Sequence, residues 1–276
     1  MALRACCRLA LGLLLAGSLA ARAQPPAADW NGFDVSGLDL PAAALANGGQ
    51  PRDGIPALDD PKFKPASDVG MGFEERVVGV VIGGVARAYP RSVLVWHEVV
   101  NDRIGERPFV LVYSPLSGTV AGFDARSAAG ADRFGVSGLV YNSGTLLFDR
   151  PSESLWLPME GLAIAGPRKG QRLPAIWATE TSWADWLTRH PKTEVLTADT
   201  GHDRPYGRDP YADYSGDSAL RFPVAARDDR YHPKEPVLVL HHAGRYKAYP
   251  FVELAAHDKA FTDEFAGTPV LRRRAS

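Results

Sequence analysis

The stretch Val77-Val78-Gly79-Val80-Val81-Ile82-Gly83-Gly84-Val85-Ala86-Arg87-Ala88-Tyr89-Pro90 decides the fold. Two runs of β-branched and small apolar residues flank a pair of glycines. Paired glycines supply the two positive φ angles of a primed two-residue turn, whose twist suits the strands on either side. The spacing predicts a hairpin, with strands over 77–82 and from residue 85 to 89. Pro90 follows at once. Residues 90–97 read as about two turns of helix with the proline at the first helical position, where its missing N–H is no loss.

The same wording returns downstream. Gly84-Val85-Ala86-Arg87-Ala88-Tyr89-Pro90 recurs as Gly244-Arg245-Tyr246-Lys247-Ala248-Tyr249-Pro250, and at the same shift His97-Glu98 meets His257-Asp258. An apolar run over 237–240 precedes the second copy as 77–82 precedes the first. The echo is read as a duplicated β-hairpin-plus-helix unit, over about 77–113 and 237–270, supplying similar packing in each half. Two equivalent functional sites are the other reading.

Working outward, short apolar runs alternate with turn chemistry. Strands are expected over 109–113 and 118–124, paired across Ser114-Pro115-Leu116-Ser117, and again near 133–136 and 145–149. Ser182 with Asp185 forms a capping box that opens a helix through Trp186 and Leu187, closed before Pro191. A further helix is expected over 255–265. The fold class is α+β and strand-rich, with duplicated β-hairpin-plus-helix units in one globular domain over 51–276. Residues 24–50 are rich in Pro, Ala, Asn and Gly without a sustained apolar pattern, and are expected to form a flexible arm.

Ahead of the arm, residues 1–23 have the three parts of a secretory signal peptide. Arg4 and Arg8 precede a short apolar run from 9 to 20, and Ala21-Arg22-Ala23 places small residues where a signal peptidase reads. Cleavage is expected before Gln24, giving an exported, periplasmic or extracellular protein. The apolar run is shorter than the about 20 residues that span a bilayer, so no stable membrane span is expected in the mature chain. Cys6 and Cys7, both cysteines of the sequence, leave with this segment, so the mature chain has no disulfide to draw on. Its stability must come from a core, for which 253 of the 276 residues remain. Losing three arginines takes the basic count from 31 to 28 against 32 acids, a net charge near −4. Arg272-Arg273-Arg274 is the one basic run, so no nucleic-acid face is expected.

Three constellations carry candidate chemistry. Trp96-His97-Glu98 sets an imidazole beside a carboxylate, which suits a metal-ligand pair or a general base with its acid. Adjacent residues point in different directions, however, and a satisfied buried histidine is an equal reading. Tyr113-Ser114-Pro115-Leu116-Ser117-Gly118 offers two serines on a tight turn. They are nucleophiles if a histidine lies within about 3 Å, or turn residues bonding their own backbone. The third constellation collects Tyr141-Asn142-Ser143, Asp149-Arg150 and Ser154-Leu155-Trp156 at strand ends, where pockets gather polar groups. The candidate pocket is therefore His97, Glu98, Tyr113, Ser114, Ser117, Asn142, Asp149, Arg150 and Trp156. Asp209, Asp213 and Asp217 lie in a Tyr/Gly/Ser-rich loop with oxygen donors suited to calcium, but without EF-hand spacing. No metal ligand set, catalytic residue or cofactor is assigned.

Asp53-Gly54-Ile55-Pro56-Ala57-Leu58, Ala88-Tyr89-Pro90, Trp96-His97-Glu98-Val99-Val100-Asn101-Asp102, Phe134-Gly135-Val136-Ser137-Gly138, Tyr141-Asn142-Ser143, Asp149-Arg150 and Ser154-Leu155-Trp156 together resemble the bacterial domain-of-unknown-function family 3179, over roughly 51–265. The resemblance implies kinship and names no activity. It also marks a departure. Members of the family carry Tyr-Cys-Pro-Leu-Cys-Gly where this chain has Tyr113-Ser114-Pro115-Leu116-Ser117-Gly118. The thiol redox or soft-metal chemistry such a pair implies is lost when both sulfurs become hydroxyls. Two function classes follow. One is a non-catalytic domain binding a small molecule or protein partner near His97, Tyr113 and Asn142. The other is an enzyme, a hydrolase using Ser114 or Ser117 with His97, or a site with metal on His97 and Glu98. The distance from the His97 ring to a serine hydroxyl separates them.

Overall fold

The computed structural model describes residues 30–38, 40–128, 130–242, 245–256 and 261–272. The first strands are β1 Leu45–Asn47, β2 Leu58–Asp59, β3 Phe63–Pro65, β4 Arg76–Ile82 and β5 Val85–Pro90, followed by α1 Arg91–His97. Next come β6 Val99–Ile104, β7 Arg107–Ser114, β8 Thr119–Asp124, β9 Arg126–Ser127, β10 Gly130–Ala131, β11 Phe134–Tyr141 and β12 Gly144–Asp149. The run closes with β13 Leu155–Leu157, β14 Leu162–Ala165, β15 Ala175–Ile176, β16 Ala178–Ser182, α2 Trp183–Arg189 and β17 Glu194–Leu196. After residues 197–236 come β18 Val237–His242, β19 Arg245–Pro250, α3 Phe251–Ala256, β20 Phe261–Phe265 and β21 Thr268–Arg272. The chain is strand-rich, as its sequence implies. Among the described residues no helix is long and apolar enough to cross a membrane.

Three five-stranded sheets stack. Their orders are β16-β4-β5-β17-β3, β15-β8-β7-β6-β2 and β1-β11-β12-β13-β14. The second sheet lies in the middle, and its side chains show why. Along β7, Phe109, Leu111 and Tyr113 join the cluster with Val78, Val80, Tyr89 and Leu94. The alternate residues Val110 and Val112 join Phe134, Val136, Leu147 and Trp156 on the opposite face. A strand buried on both faces reads as a continuous apolar run, because its period of two has no polar side to show.

The quoted hairpin forms in the expected register, Ile82 facing Val85 across Gly83 (φ 58°) and Gly84 (φ 83°). One detail differs. Pro90 still pairs with Val77 as the last residue of β5, so it is the N-cap of α1 and not its first helical residue. Ser182 caps the helix as expected, its side chain accepting from the Asp185 N–H at 3.3 Å, while the Asp185 carboxylate accepts from Thr181 Oγ1 and does not close the box.

Two expectations are corrected. The helix expected over 255–265 is α3, ending at Ala256, followed by strand β20. Phe261–Phe265 pairs with Thr268–Arg272 across Ala266 (φ 50°) and Gly267 (φ 76°), a primed turn that outweighs the helical spacing. The supposed flexible arm is part of the fold from Trp30, with Asp39 outside the described residues. Leu45–Asn47 pairs with β11, and Phe33, Ala44 and Leu45 are buried against Leu139, Phe148 and Ile164. Its apolar residues contact the sheet from an irregular chain, so they show no period. The signal segment 1–23, residues 24–29 and the pair His257-Asp258 lie outside the described residues.

The order strand, strand, helix, strand, strand of β4 to β7 recurs in β18 to β21. In the first unit Asp102 accepts from Tyr89 Oη at 2.5 Å and from Arg87 Nη1 at 2.8 Å. In the second, Asp263 accepts from Tyr249 Oη at 2.8 Å and pairs with Lys247 Nζ at 2.5 Å. The surroundings differ. β4 and β5 are flanked by β16 and β17, and Val77 and Val78 are buried, whereas β18 and β19 pair with each other alone and Val237 and Leu238 are exposed.

Gly79 positions α2 against the first unit. A Cβ there would fall 2.2 Å from the Trp186 ring, which is buried and donates to Thr193 Oγ1 at 3.0 Å. Gly79→Ala is expected to destabilise the protein by about 1–3 kcal/mol through overpacking. Urea unfolding checks this. Combined with Trp186→Leu, the second loss should be clearly less than additive, because the clash disappears with the indole.

Candidate functional site

The α1 helix ends at a residue that L-amino acids seldom adopt. Glu98 has φ 60° and ψ −31°, with its N–H donating to Leu94 O at 2.7 Å and its carbonyl accepting from Tyr113 N at 2.8 Å. This turn aims His97 and Glu98 in different directions. His97 is fully buried; its Nδ1 lies 2.8 Å from Pro56 O and its Nε2 lies 2.7 Å from Tyr206 Oη. A carbonyl can only accept, so Nδ1 carries the proton and Nε2 accepts from the tyrosine. Both ring nitrogens are therefore committed. Burial, chiefly, pulls the imidazole down from the usual 6.5 to about 4, and His202 and Arg204 nearby push the same way.

Glu98 turns to the opposite side, into the serine turn. Thr145 N donates to Ser114 Oγ at 3.1 Å, Ser114 Oγ to Thr145 Oγ1 at 3.3 Å, and Thr145 Oγ1 to Glu98 Oε2 at 2.6 Å. The chain of hydroxyls ends on a carboxyl that is buried and that Tyr211 also reaches. Burial raises Glu98 from 4.5 to about 7, against the hydrogen bonds from Thr145 and Tyr211. Tyr211 in turn is pushed up to about 12, first by its burial and next by the Glu98 charge. Ser117 is exposed and bonds Thr119 Oγ1 at 2.9 Å.

A long connection covers this centre. Residues 197–236 contain no strand or helix and are tied down at several points. Tyr206 holds His97, Trp96 Nε1 donates to Arg208 O at 3.0 Å, and Tyr211 reaches Glu98. The turn between β11 and β12, with Asn142 at φ 49° and Ser143 at φ 59°, supplies two more ties. Ser143 Oγ donates to Phe222 O at 2.9 Å, and Asn142 Oδ1 accepts from Ala225 N at 2.7 Å.

Of the nine predicted pocket residues, His97, Glu98, Tyr113, Ser114 and Asn142 gather around α1 and the two turns beside this cover, whereas Ser117 is exposed on its turn. Asp149, Arg150 and Trp156 belong elsewhere, at the far end of β12 and beyond. There Asp149 accepts from Trp156 Nε1 and Ser152 Oγ, each at 2.8 Å, and Arg150 forks onto Asp53 at 3.0 and 3.1 Å. Asp209 and Asp217 accept from Tyr211 N and Ala219 N, local bonds that shape turns. Among the described residues no three His, Cys, Asp or Glu side chains converge as a metal-holding group. Tyr206, Tyr211, Thr145 and Thr200 were absent from the sequence-derived pocket. Threonine on a strand and tyrosine in a loop carry no spacing signal; Thr145 reaches the centre from β12, and Thr200, Tyr206 and Tyr211 through folding of the connection.

The sequence over residues 52–275 matches the family described as "Protein of unknown function (DUF3179)". Neither the curated proteins nor the solved structures contain a match to this chain.

The two shifted groups make opposing contributions to stability with pH. The fold favours neutral His97, a stabilisation present above pH 6.5 and lost as pH falls toward 4. It favours protonated Glu98, a stabilisation present below pH 4.5 and lost as pH rises toward 7. In the shared window the slopes oppose, each at most about 1.4 kcal/mol per pH unit. Glu98→Gln is expected to unmask the histidine, so that stability climbs with pH up to 6.5. His97→Gln unmasks the carboxyl and reverses the slope. Urea titrations at stepped pH read both, and slopes of equal sign in the two variants would contradict this assignment.

Proposed function

We propose that this chain, which belongs to the DUF3179 family, works by binding and not by catalysis, as an exported protein. One observation carries the reading. Both ring nitrogens of His97 are taken, by Pro56 O and Tyr206 Oη, while Ser114 is committed as donor and acceptor to Thr145. A nucleophilic serine needs a base to take its proton, and both nitrogens of His97, the histidine the sequence offers, go to other partners. The polar centre then serves to hold the 197–236 connection onto the sheets, and the ligand or protein partner is met elsewhere on the surface.

The two strand-strand-helix-strand-strand segments are read as copies of one duplicated unit. Support comes from the matched tyrosine–carboxylate–cation groups and the shared sequence of Arg87-Ala88-Tyr89-Pro90 and Lys247-Ala248-Tyr249-Pro250. Export rests on the tripartite segment 1–23.

A second reading has a single observation in its favour. A carboxyl raised to about 7 has the proton affinity of a general acid. Against it, the Glu98 carboxyl is buried and already bonded by Thr145 and Tyr211.

A fluorophosphonate probe, which traps activated serines, tests the first reading on the full-length product. No labelling of Ser114 or Ser117 is expected, and labelling that vanishes in His97→Ala would overturn it. Export is checked by N-terminal sequencing of the protein from the secreted and periplasmic fractions. The expected first residue is Gln24; a cytoplasmic product that retains residues 1–23 would contradict export.

A further inference from the structure

Away from the covered centre lies an open cleft of about 280 Å³ between the middle sheet and its neighbours. Asn101 and Asp102 of β6 and Phe109 of β7 line it, with Arg87 from β5, Arg103, and the pairs Asp132-Arg133 and Asp60-Pro61. Three arginines face three aspartates, and each arginine also meets an acid outside the lining, Arg87 with Glu194 at 3.0 Å, Arg103 with Glu106 at 3.9 Å and Arg133 with Asp59 at 3.5 Å. The hydrogen bonds are shared unevenly.

The buried acceptors are engaged, and the exposed Asp60 holds Arg133. Asp102 takes Tyr89 Oη, Arg87 Nη1 on both oxygens, and the Arg103 N–H at 2.6 Å. Asn101 is closed on Phe134, its Oδ1 accepting from Phe134 N and its Nδ2 donating to Phe134 O, each at 2.9 Å. Asp60 accepts Arg133 Nη2 on both oxygens at 3.1 Å, and Asp132 accepts Arg168 Nη1.

The donors are not used up. Arg87 spends Nε on Glu194 at 3.0 Å and Nη1 on Asp102 and Arg103 O, leaving Nη2 without a partner among the described residues. Arg103 spends Nη1 alone, on Glu106 O at 3.3 Å. Arg133 spends Nη2 on Asp60 and holds Nη1 3.5 Å from Asp59, so Nε is unspent. Such a wall has hydrogen bonds to give and few to receive. Guanidinium forks match the paired oxygens of carboxylate and phosphate.

We propose that this cleft is a binding site for a small oxyanion, a ligand bearing carboxylate or phosphate groups, held by Arg87, Arg103 and Arg133. The proposal deepens the binding reading by giving it a place and a ligand class, and it does not use the His97 centre. Arg87 is the fixed member, locked by Asp102 and Glu194 and lying 4.1 Å over the Phe63 ring. Arg103 and Arg133 are about half-exposed and adjust to the ligand. The second unit keeps the tyrosine–carboxylate–cation group, but its strand register puts Glu264 where the first unit has Arg103 and Val270 where it has Phe109. One of the three guanidinium groups is therefore replaced by a carboxylate there.

Calorimetric titration of the full-length product with inorganic phosphate, and separately with succinate, tests this. Saturable binding of at least one is expected. Phosphate alone assigns a phosphorylated ligand, succinate alone an organic acid, and both an oxyanion site of broad class. Removing the charge-assisted bonds of two guanidinium groups should weaken binding tenfold or more in Arg103→Gln with Arg133→Gln. Both side chains are partly exposed, so the melting temperature should hold, and Arg103→Lys should recover only part of the affinity. No saturable heat with either anion, or binding undiminished in the double variant, overturns the proposal. Serine labelling by the fluorophosphonate probe would instead sink the non-catalytic reading and leave this site standing.

Discussion

The middle sheet is buried on both faces, and the rest of the molecule is arranged around that constraint. β7 has no polar side to offer water, so each face needs an apolar partner. One is the sheet that contains the β4–β5 hairpin, with α1 beside it; the other is the sheet built from β11 to β14. Every polar group that this sheet carries must then be satisfied at strand ends or paired inside, since an unmet buried donor or acceptor costs about 1–3 kcal/mol. Asp102 answers that demand with Tyr89 and Arg87, and Glu98 with Thr145 and Tyr211.

The same demand gives each of the chemistry-bearing residues that stand together in the sequence its own partner in the fold. His97 and Glu98 stand side by side in the chain, yet the left-handed turn at Glu98 sends their side chains to separate partners. Their protonation is pushed in opposite senses by the same cause, loss of water, because burial disfavours whichever form is charged. The serines at 114 and 117 remain on a tight turn. Ser114 has become part of a hydroxyl ladder from the Thr145 backbone to the Glu98 carboxyl, a role that a thiol, being a weak donor, would fill poorly.

The 197–236 connection gives the centre its cover and the protein its asymmetry. Without it Tyr206, Arg208, Tyr211, Phe222 and Ala225 would not reach Trp96, His97, Glu98, Asn142 and Ser143. The cover closes one side of the sheet stack, while the arginine-lined cleft on another side stays open. The polar residues under the cover are bonded to one another and to the connection's backbone and side chains.

Single elements differ in how much of the fold their sequence carries. Gly83-Gly84 determined the first hairpin to the residue, because only a positive φ at both positions closes a two-residue turn with the right twist. The continuous apolar run at 109–113 located β7, and Ser182 with Asp185 located α2. Ala266-Gly267 carried the same turn signal as the first hairpin, but helical spacing obscured it. Trp30 to Leu45 were illegible as packed chain, since irregular backbone leaves no period. The sequence by itself determined the family, the strand-rich class, the turns and the strands, all of which depend on local conformational preference and short-range pattern. Only the tertiary structure decided which nitrogen of His97 meets which oxygen, that Asp149 and Trp156 stand apart from Ser114, and that three arginines share one cleft. Those facts depend on contacts between residues distant in sequence, and side-chain direction there is set by packing and the burial of charge.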